Sequence, residues 1–163
     1  VGNLPYNIST PLLFHLLSRS DVIRDMHFML QKEVVDRMAA DPGSKVFGRL
    51  SVSLQARCRV TPLFTIGPGA FRPAPRVDSA FVRIEPYAHA ERPHCINDEA
   101  MLDQVLIRAF GQRRKTLRNG LRGLIEPDVL QALGIDPALR PEQVDVGGFV
   151  AIANRACIAR DPP

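Results

Sequence analysis

The chain has 163 residues, room for one ordinary domain or two small ones. With 45% apolar and 23% charged residues it is not a disordered polymer, and no run of about 18 apolar residues marks a membrane span. Three cysteines (Cys58, Cys95, Cys157) are too few and too scattered for a disulfide scaffold or a zinc module. No secretory leader opens the sequence, so a reducing, cytoplasmic setting is expected.

Residues 3–7 read as a loop that leaves an apolar position. Ser9 or Thr10 caps a helix with Pro11 in its first turn, and Ile8, Leu12, Leu13, Leu16 and Leu17 recur at helical spacing. Residues 26–31 form a short apolar run suited to a buried strand, and residues 32–40 suit a helix ended by Asp41, Pro42 and Gly43. Residues 49–58 fit two patterns. Leu50, Val52, Leu54 and Ala56 alternate as in a strand, while Leu50, Leu54 and Cys58 share one helix face. Residues 60–66 read as a strand that Pro62 pushes to a sheet edge. Residues 67–78 are a loop punctuated by proline and glycine, and Ser79 to Pro86 alternate as a further strand.

After a linker-like stretch at 87–96 the patterns are helical only. Leu102, Val105, Leu106, Ala109 and Phe110 give an amphipathic helix, 116–124 and 127–133 two shorter ones, and Val146, Phe149, Val150, Ala153 and Cys157 a last one. The predicted boundary lies near residue 90, with a mixed α/β part at 1–90 and a small all-helical part at 91–163.

The formal charge is +4, and it is unevenly placed. Residues 1–95 carry the whole excess, with 12 basic and 8 acidic residues. Residues 108–122 hold Arg108, Arg113, Arg114, Lys115, Arg118 and Arg122 and no acid. Residues 45–83 hold seven basic residues against Asp78 alone. Clustered positive charge is the footprint of a polyanion partner, although a solvated helix face gives the same pattern. His15, His27, His89 and His94 show no ligand spacing, so no metal site is expected.

Asn3, Leu4, Pro5 and Tyr6 suit one task. An adenine exocyclic amine is a poor nucleophile because its lone pair is delocalised into the ring. Two acceptors aimed at its hydrogens favour a pyramidal nitrogen with a freer lone pair. Asn3 offers a side-chain oxygen, the Leu4–Pro5 segment a backbone carbonyl held by proline, and Tyr6 an aromatic face for the base. A proline turn with a packed tyrosine is the competing reading. The stretch Phe71 to Ser79 offers a second aromatic face at Phe71, with Arg72 and Arg76 placed to meet phosphates. A proline-rich connection with Phe71 in the core is the alternative there.

Asn3 to Tyr6, Gln31 to Val34, Phe71 to Ser79 and Phe110 to Asn119 occur in that order, followed by Arg140 to Glu142 and Phe149 to Asn154. As an ordered set covering essentially the whole chain, they resemble the ribosomal RNA adenine dimethyltransferase family in its bacterial small-subunit (Ksg-type) branch. The resemblance implies a Rossmann-like methyltransferase sheet followed by a small helical domain. It also implies S-adenosylmethionine as methyl donor. The implied acceptors are two neighbouring adenines near the 3′ end of 16S ribosomal RNA in the 30S subunit or its precursor. Asn3 and the Leu4–Pro5 backbone would hold the amine, Asn3 lying also at the cofactor, and Tyr6 and Phe71 would stack on the base. Arg113, Arg114, Lys115 and Arg118 would contact RNA, and residues 49–58 would be helical.

The sequence departs from this pattern in one place. The family's glycine-rich turn after the first strand, and the acidic residues that hold the cofactor's ribose and adenine, have no counterpart here. The fold class implied is therefore α/β, the C-terminal half of a Rossmann-like sheet followed by the helical domain. Such a chain, whether shortened or part of a longer protein, is expected to bind S-adenosylmethionine poorly alone and to self-associate through an exposed sheet edge. Two other readings share the motifs. One is a 23S-directed resistance methyltransferase, against which Gln112 to Thr116 speak. The other is a non-catalytic RNA-binding or ribosome-assembly module.

Overall fold

A computed structural model describes the chain apart from residues 6–7, 18, 20–21, 89–90, 113 and 161–163, and apart from the side chains of 159 and 160. It divides into two compact units, Val1–Ala39 with Arg57–Arg92, and Ala40–Ala56 with Pro93–Pro163. Residues 40–56, placed by the sequence with the α/β part, thus group with the helices.

The first unit is built on a four-stranded sheet of β1 (Gly2–Asn3), β2 (Met26–Gln31), β3 (Cys58–Ile66) and β4 (Ser79–Pro86), in the order β1-β2-β4-β3. β1 runs parallel to β2, with Asn3 opposite Met29. β4 is antiparallel to both β2 and β3. The period-2 pattern explains the layering. Met26, Phe28 and Leu30 on β2 are buried together with Ala80, Val82 and Ile84 on β4, and these are cross-strand partners. β3 lies at an edge, as Pro62 predicts, and its register with β4 shifts between Pro62 and Phe64. Beyond that shift Phe64 stacks on Phe81 at 5.3 Å. α1 (Ser9–Leu17) buries Ser9, Leu13 and Leu17, one residue per turn, and α2 (Lys32–Met38) follows β2 without a loop.

Cys58 opens β3 and is buried. Burial pushes its thiol up to about 12, against the opposing pull of the Arg57 and Arg92 guanidinium groups. Unfolding restores the ordinary value near 9.0. Between these values the unfolded chain has lost the proton that the folded one keeps, so stability falls as pH rises through that window. A thiol reagent at pH 8 is expected to modify the exposed Cys95 in the native protein. Cys58 should react only on unfolding, and equal labelling by peptide mass mapping would contradict this burial.

The second unit contains α3 (Arg49–Gln55), α4 (Glu99–Phe110), α5 (Leu117–Gly120), α6 (Pro127–Ala132) and α7 (Val146–Arg160). The helical option for 49–58 holds up to Gln55, and the Gly48 N–H donates to the Ser51 hydroxyl at 3.0 Å at the start of that helix. α4 begins at Asp98, whose Oδ1 accepts from the backbone N–H of Ala100 at 2.8 Å and Met101 at 3.1 Å. Its predicted stripe is real: Leu102, Val105, Leu106 and Ala109 are buried, and Phe110 is half-buried against the same core. From α7 come Phe149, Val150, Ile152 and Ala153. Phe149 lies 5.3 Å from Phe110, ring to ring. Cys157 packs partly buried on this cluster. α6 ends in a Schellman turn. The Ile135 N–H reaches the Leu130 carbonyl (3.0 Å) and Gly134 that of Gln131 (2.9 Å), with Gly134 at φ +75°, a conformation that glycine adopts without penalty.

Candidate functional site

In an open α/β sheet, ligands gather at the carboxyl ends of the parallel strands. β1 and β2 are the parallel pair here, and Asn3 stands exposed at the carboxyl end of β1. The chain then turns through Leu4, which is buried and donates its N–H to the Met29 carbonyl at 3.2 Å. Pro5 follows, and its carbonyl accepts from the Ile8 N–H at 3.2 Å, just ahead of α1. This short segment is therefore held at both ends by the backbone.

The second wall comes from the loop between β3 and β4. A single 3-10 turn at Pro68–Ala70 precedes half-buried Phe71, and the Arg72–Pro73 bond is cis. At the far end of the loop the Asp78 carbonyl accepts from the Lys32 N–H at 2.9 Å, where β2 passes into α2. Because β4 is antiparallel, its first residue, buried Ser79, lies at the same end of the sheet.

Between these walls is a cleft of about 290 Å³. Asn3, Leu4 and Pro5 form one side, and Phe71, Pro73 and Pro75 the other. Met29 and Ser79 come from the strands. Two motifs about 70 residues apart in the sequence thus line one hollow. Its described lining is apolar and uncharged, with Asn3 and Ser79 the polar side chains. A slot of this kind suits a flat, neutral, heteroaromatic ligand.

The remaining sequence candidates fall elsewhere. Tyr6 and Arg113 lie outside the described residues. Arg72 and Arg76 are exposed on the Phe71 loop and are not among the residues lining the cleft. Arg114, Lys115 and Arg118 are exposed in the second unit. There the backbone N–H groups of Leu117 and Arg118 donate to the Leu139 and Pro137 carbonyls at 2.8 and 3.0 Å. Leu117 and Leu121 are fully buried beneath them. Arg108 reaches the Arg122 carbonyl through Nη1 at 3.3 Å, so part of this basic run is structural. Met29 and Ser79 were not singled out from sequence. Pairing of Met29 with Asn3 across the parallel ladder is what brings it to the cleft. Among the described residues, no group of three or more metal-ligating side chains occurs, and no helix is long and apolar enough to cross a membrane.

The ribosomal RNA adenine dimethylase family model matches residues 1–157. The chain belongs to this family. A ribosomal RNA small subunit methyltransferase A from Pseudomonas aeruginosa is 58% identical over 155 residues, which is 95% of this chain and 57% of that protein. The protein of the same name from Idiomarina loihiensis is 56% identical over 153 residues, 94% of this chain and 52% of its own length. The chain thus spans a little over half the length of these relatives. Among solved structures, a dimethyladenosine transferase from Plasmodium falciparum superposes with a TM-score of 0.81 at 26% identity, over 95% of this chain and 66% of that one. A 23S rRNA methyltransferase superposes with a TM-score of 0.70 at 18% identity, a likeness of fold.

Members of a dimethylase family need a methyl donor, and the expected one is S-adenosylmethionine. The described residues do not by themselves form its site. No acidic side chain lines the cleft. Neither β1 nor β2 leads into its following helix through a glycine-rich turn. Asn3, the residue that the sequence placed at the cofactor, stands exposed at the end of β1.

Proposed function

We propose that this chain carries the acceptor side of an S-adenosylmethionine-dependent dimethylation of two adjacent adenines near the 3′ end of 16S ribosomal RNA, in the cytoplasm, during maturation of the small subunit. The observation that carries the reading is the convergence of Asn3, Leu4 and Pro5 with Phe71 on one uncharged cleft at the carboxyl ends of the parallel strands. The donor supplies an electrophilic methyl group, and everything this chain contributes concerns the nucleophile. Asn3 Oδ1 and the Leu4 carbonyl accept the two amine hydrogens. Leu4 is the better backbone candidate, because the Pro5 carbonyl already serves the Ile8 N–H. Phe71 stacks on one face of the extruded base and Tyr6 on the other. With no charged base among the described residues that line the cleft, the gain in rate comes from positioning the amine and freeing its lone pair.

Arg72 and Arg76 meet the backbone of the target hairpin, and the exposed Arg114, Lys115 and Arg118, with Arg113, extend the contact to the particle. An isolated copy of the chain has β1 and β3 as the outer strands of its sheet, and through an exposed sheet edge copies self-associate. The 23S-directed reading is weaker. The relatives at 56–58% identity are named for the small subunit, whereas the 23S enzyme shares only the fold.

The test is methyl incorporation by the complete gene product that contains this chain. Unmethylated 30S particles are expected to acquire N6,N6-dimethyladenine at two adjacent positions, and naked 23S RNA none. Methylation of the 23S RNA instead would move the assignment to the other branch.

A further inference from the structure

β2 presents two faces. Met26, Phe28 and Leu30 are buried on one, whereas His27, Met29 and Gln31 are half-buried on the other. Met29 sits opposite Asn3 on β1 and opposite Phe81 on β4, each roughly 5 Å away between Cα atoms. Its carbonyl holds the Leu4 N–H at 3.2 Å, and it is a lining residue of the cleft. One residue therefore anchors the backbone that carries the Asn3 acceptor and places an unbranched thioether side chain in the hollow beside it.

Dimethylation makes a demand that a single methylation does not. On its second visit the nitrogen already bears a methyl group, which can no longer serve as a hydrogen-bond donor to Asn3. That methyl needs an apolar place close to the acceptor. Phe71, Pro73 and Pro75 are stiff, and Leu4 is buried with its backbone pinned. Among the described residues lining the cleft, Met29 has the longest unbranched apolar side chain, and methionine adapts to irregular gaps.

We propose that Met29 is a specificity-determining residue for the second methyl group: its side chain is the adaptable apolar floor on which the N6-methyl of the once-methylated adenine rests. This rests on the acceptor reading of the cleft given above. One methyl in an apolar pocket typically discriminates by about 10–200-fold, so filling that space changes which product the enzyme releases.

The experiment compares the complete gene product with its Met29→Phe and Met29→Val variants on unmethylated 30S particles. N6-methyladenine and N6,N6-dimethyladenine are measured by mass spectrometry of the digested RNA at early times. The ratio of monomethyl to dimethyl product is expected to rise about tenfold in Met29→Phe, whatever the change in total turnover. A several-fold rise is expected in Met29→Val, whose β-branched side chain suits a strand but lacks the reach of the thioether. A second measurement needs no donor: competition between target hairpins carrying adenine or N6-methyladenine. The unsubstituted protein should bind the two about equally, and Met29→Phe should disfavour the methylated hairpin about tenfold. If Met29→Phe does not fold, Met29→Val decides by the same two readings. Equal loss of both methylations, with no discrimination in binding, overturns the proposal. Absence of any methyladenine with the unsubstituted protein overturns the acceptor reading instead.

Discussion

Asn3→Ala, introduced into the complete gene product, is expected to lower methyl incorporation into 30S particles by about 10²–10³-fold, the order lost when one preorganised hydrogen-bonding group is removed from an active site. The side chain is exposed at the end of β1, so the substitution leaves no buried hole. Binding of the particle, which the proposal assigns to the basic segments, should be unchanged. Asn3→Asp keeps an acceptor at the same place and should lose less. This variant also separates methyl transfer from a non-catalytic assembly role. An assembly function survives Asn3→Ala, whereas transfer collapses. Incorporation within a few-fold of the unsubstituted protein would remove Asn3 from the acceptor role.

The second large effect is on stability. Phe149 is fully buried in the helical unit and packs its ring 5.3 Å from Phe110. Phe149→Ala removes most of a ring from a core that also contains Leu102, Leu106, Leu117 and Leu121, all fully buried. The expected loss is about 3–5 kcal/mol, a large share of what a domain of this size has in total. Urea unfolding followed by helical circular dichroism measures it. Phe149→Leu retains more of the volume and should lose less than half as much. A loss below about 1 kcal/mol for Phe149→Ala would mean that the surrounding helices collapse into the space.

Much of the fold could be read from local patterns. β2 and β4 follow period-2 burial, and α4 its five-residue stripe, because these elements have one buried and one open face. The stretch at 49–58 resisted for a physical reason. Ser51, Val52, Ser53 and Leu54 are all buried in consecutive positions, so the helix has no polar stripe to set its period. The grouping of 40–56 with the helical unit was equally invisible. It rests on contacts far apart in the chain, such as the Gly43 N–H on the Glu142 carbonyl at 2.6 Å, and on Phe47, Val52 and Ala56, which are buried in the same core as Leu102 and Phe149. Of the cleft, the sequence identified Asn3, Leu4 and Pro5 as one motif and Phe71 as an aromatic residue in a proline-rich stretch. Met29 and Ser79 are ordinary strand residues, and only the register reveals them. Arg72 and Arg76 lie on the right loop but outside the hollow, since a proline-rich loop shows which residues are near each other without showing which way they face.

Both walls of the cleft are tied to one short stretch of chain where β2 passes into α2: Leu4 to the Met29 carbonyl, and Asp78 to the Lys32 N–H. The spacing between the ties is three residues of near-extended chain, roughly 10 Å. Because β1 and β4 flank β2 on opposite sides, this stretch stands between the two walls and sets where each is fastened. Substitutions along it leave the ties in place, because both use backbone atoms, whereas a single inserted or deleted residue between them would shift one tie against the other and turn strand side chains to the opposite face. Length, more than composition, is what this segment has to keep.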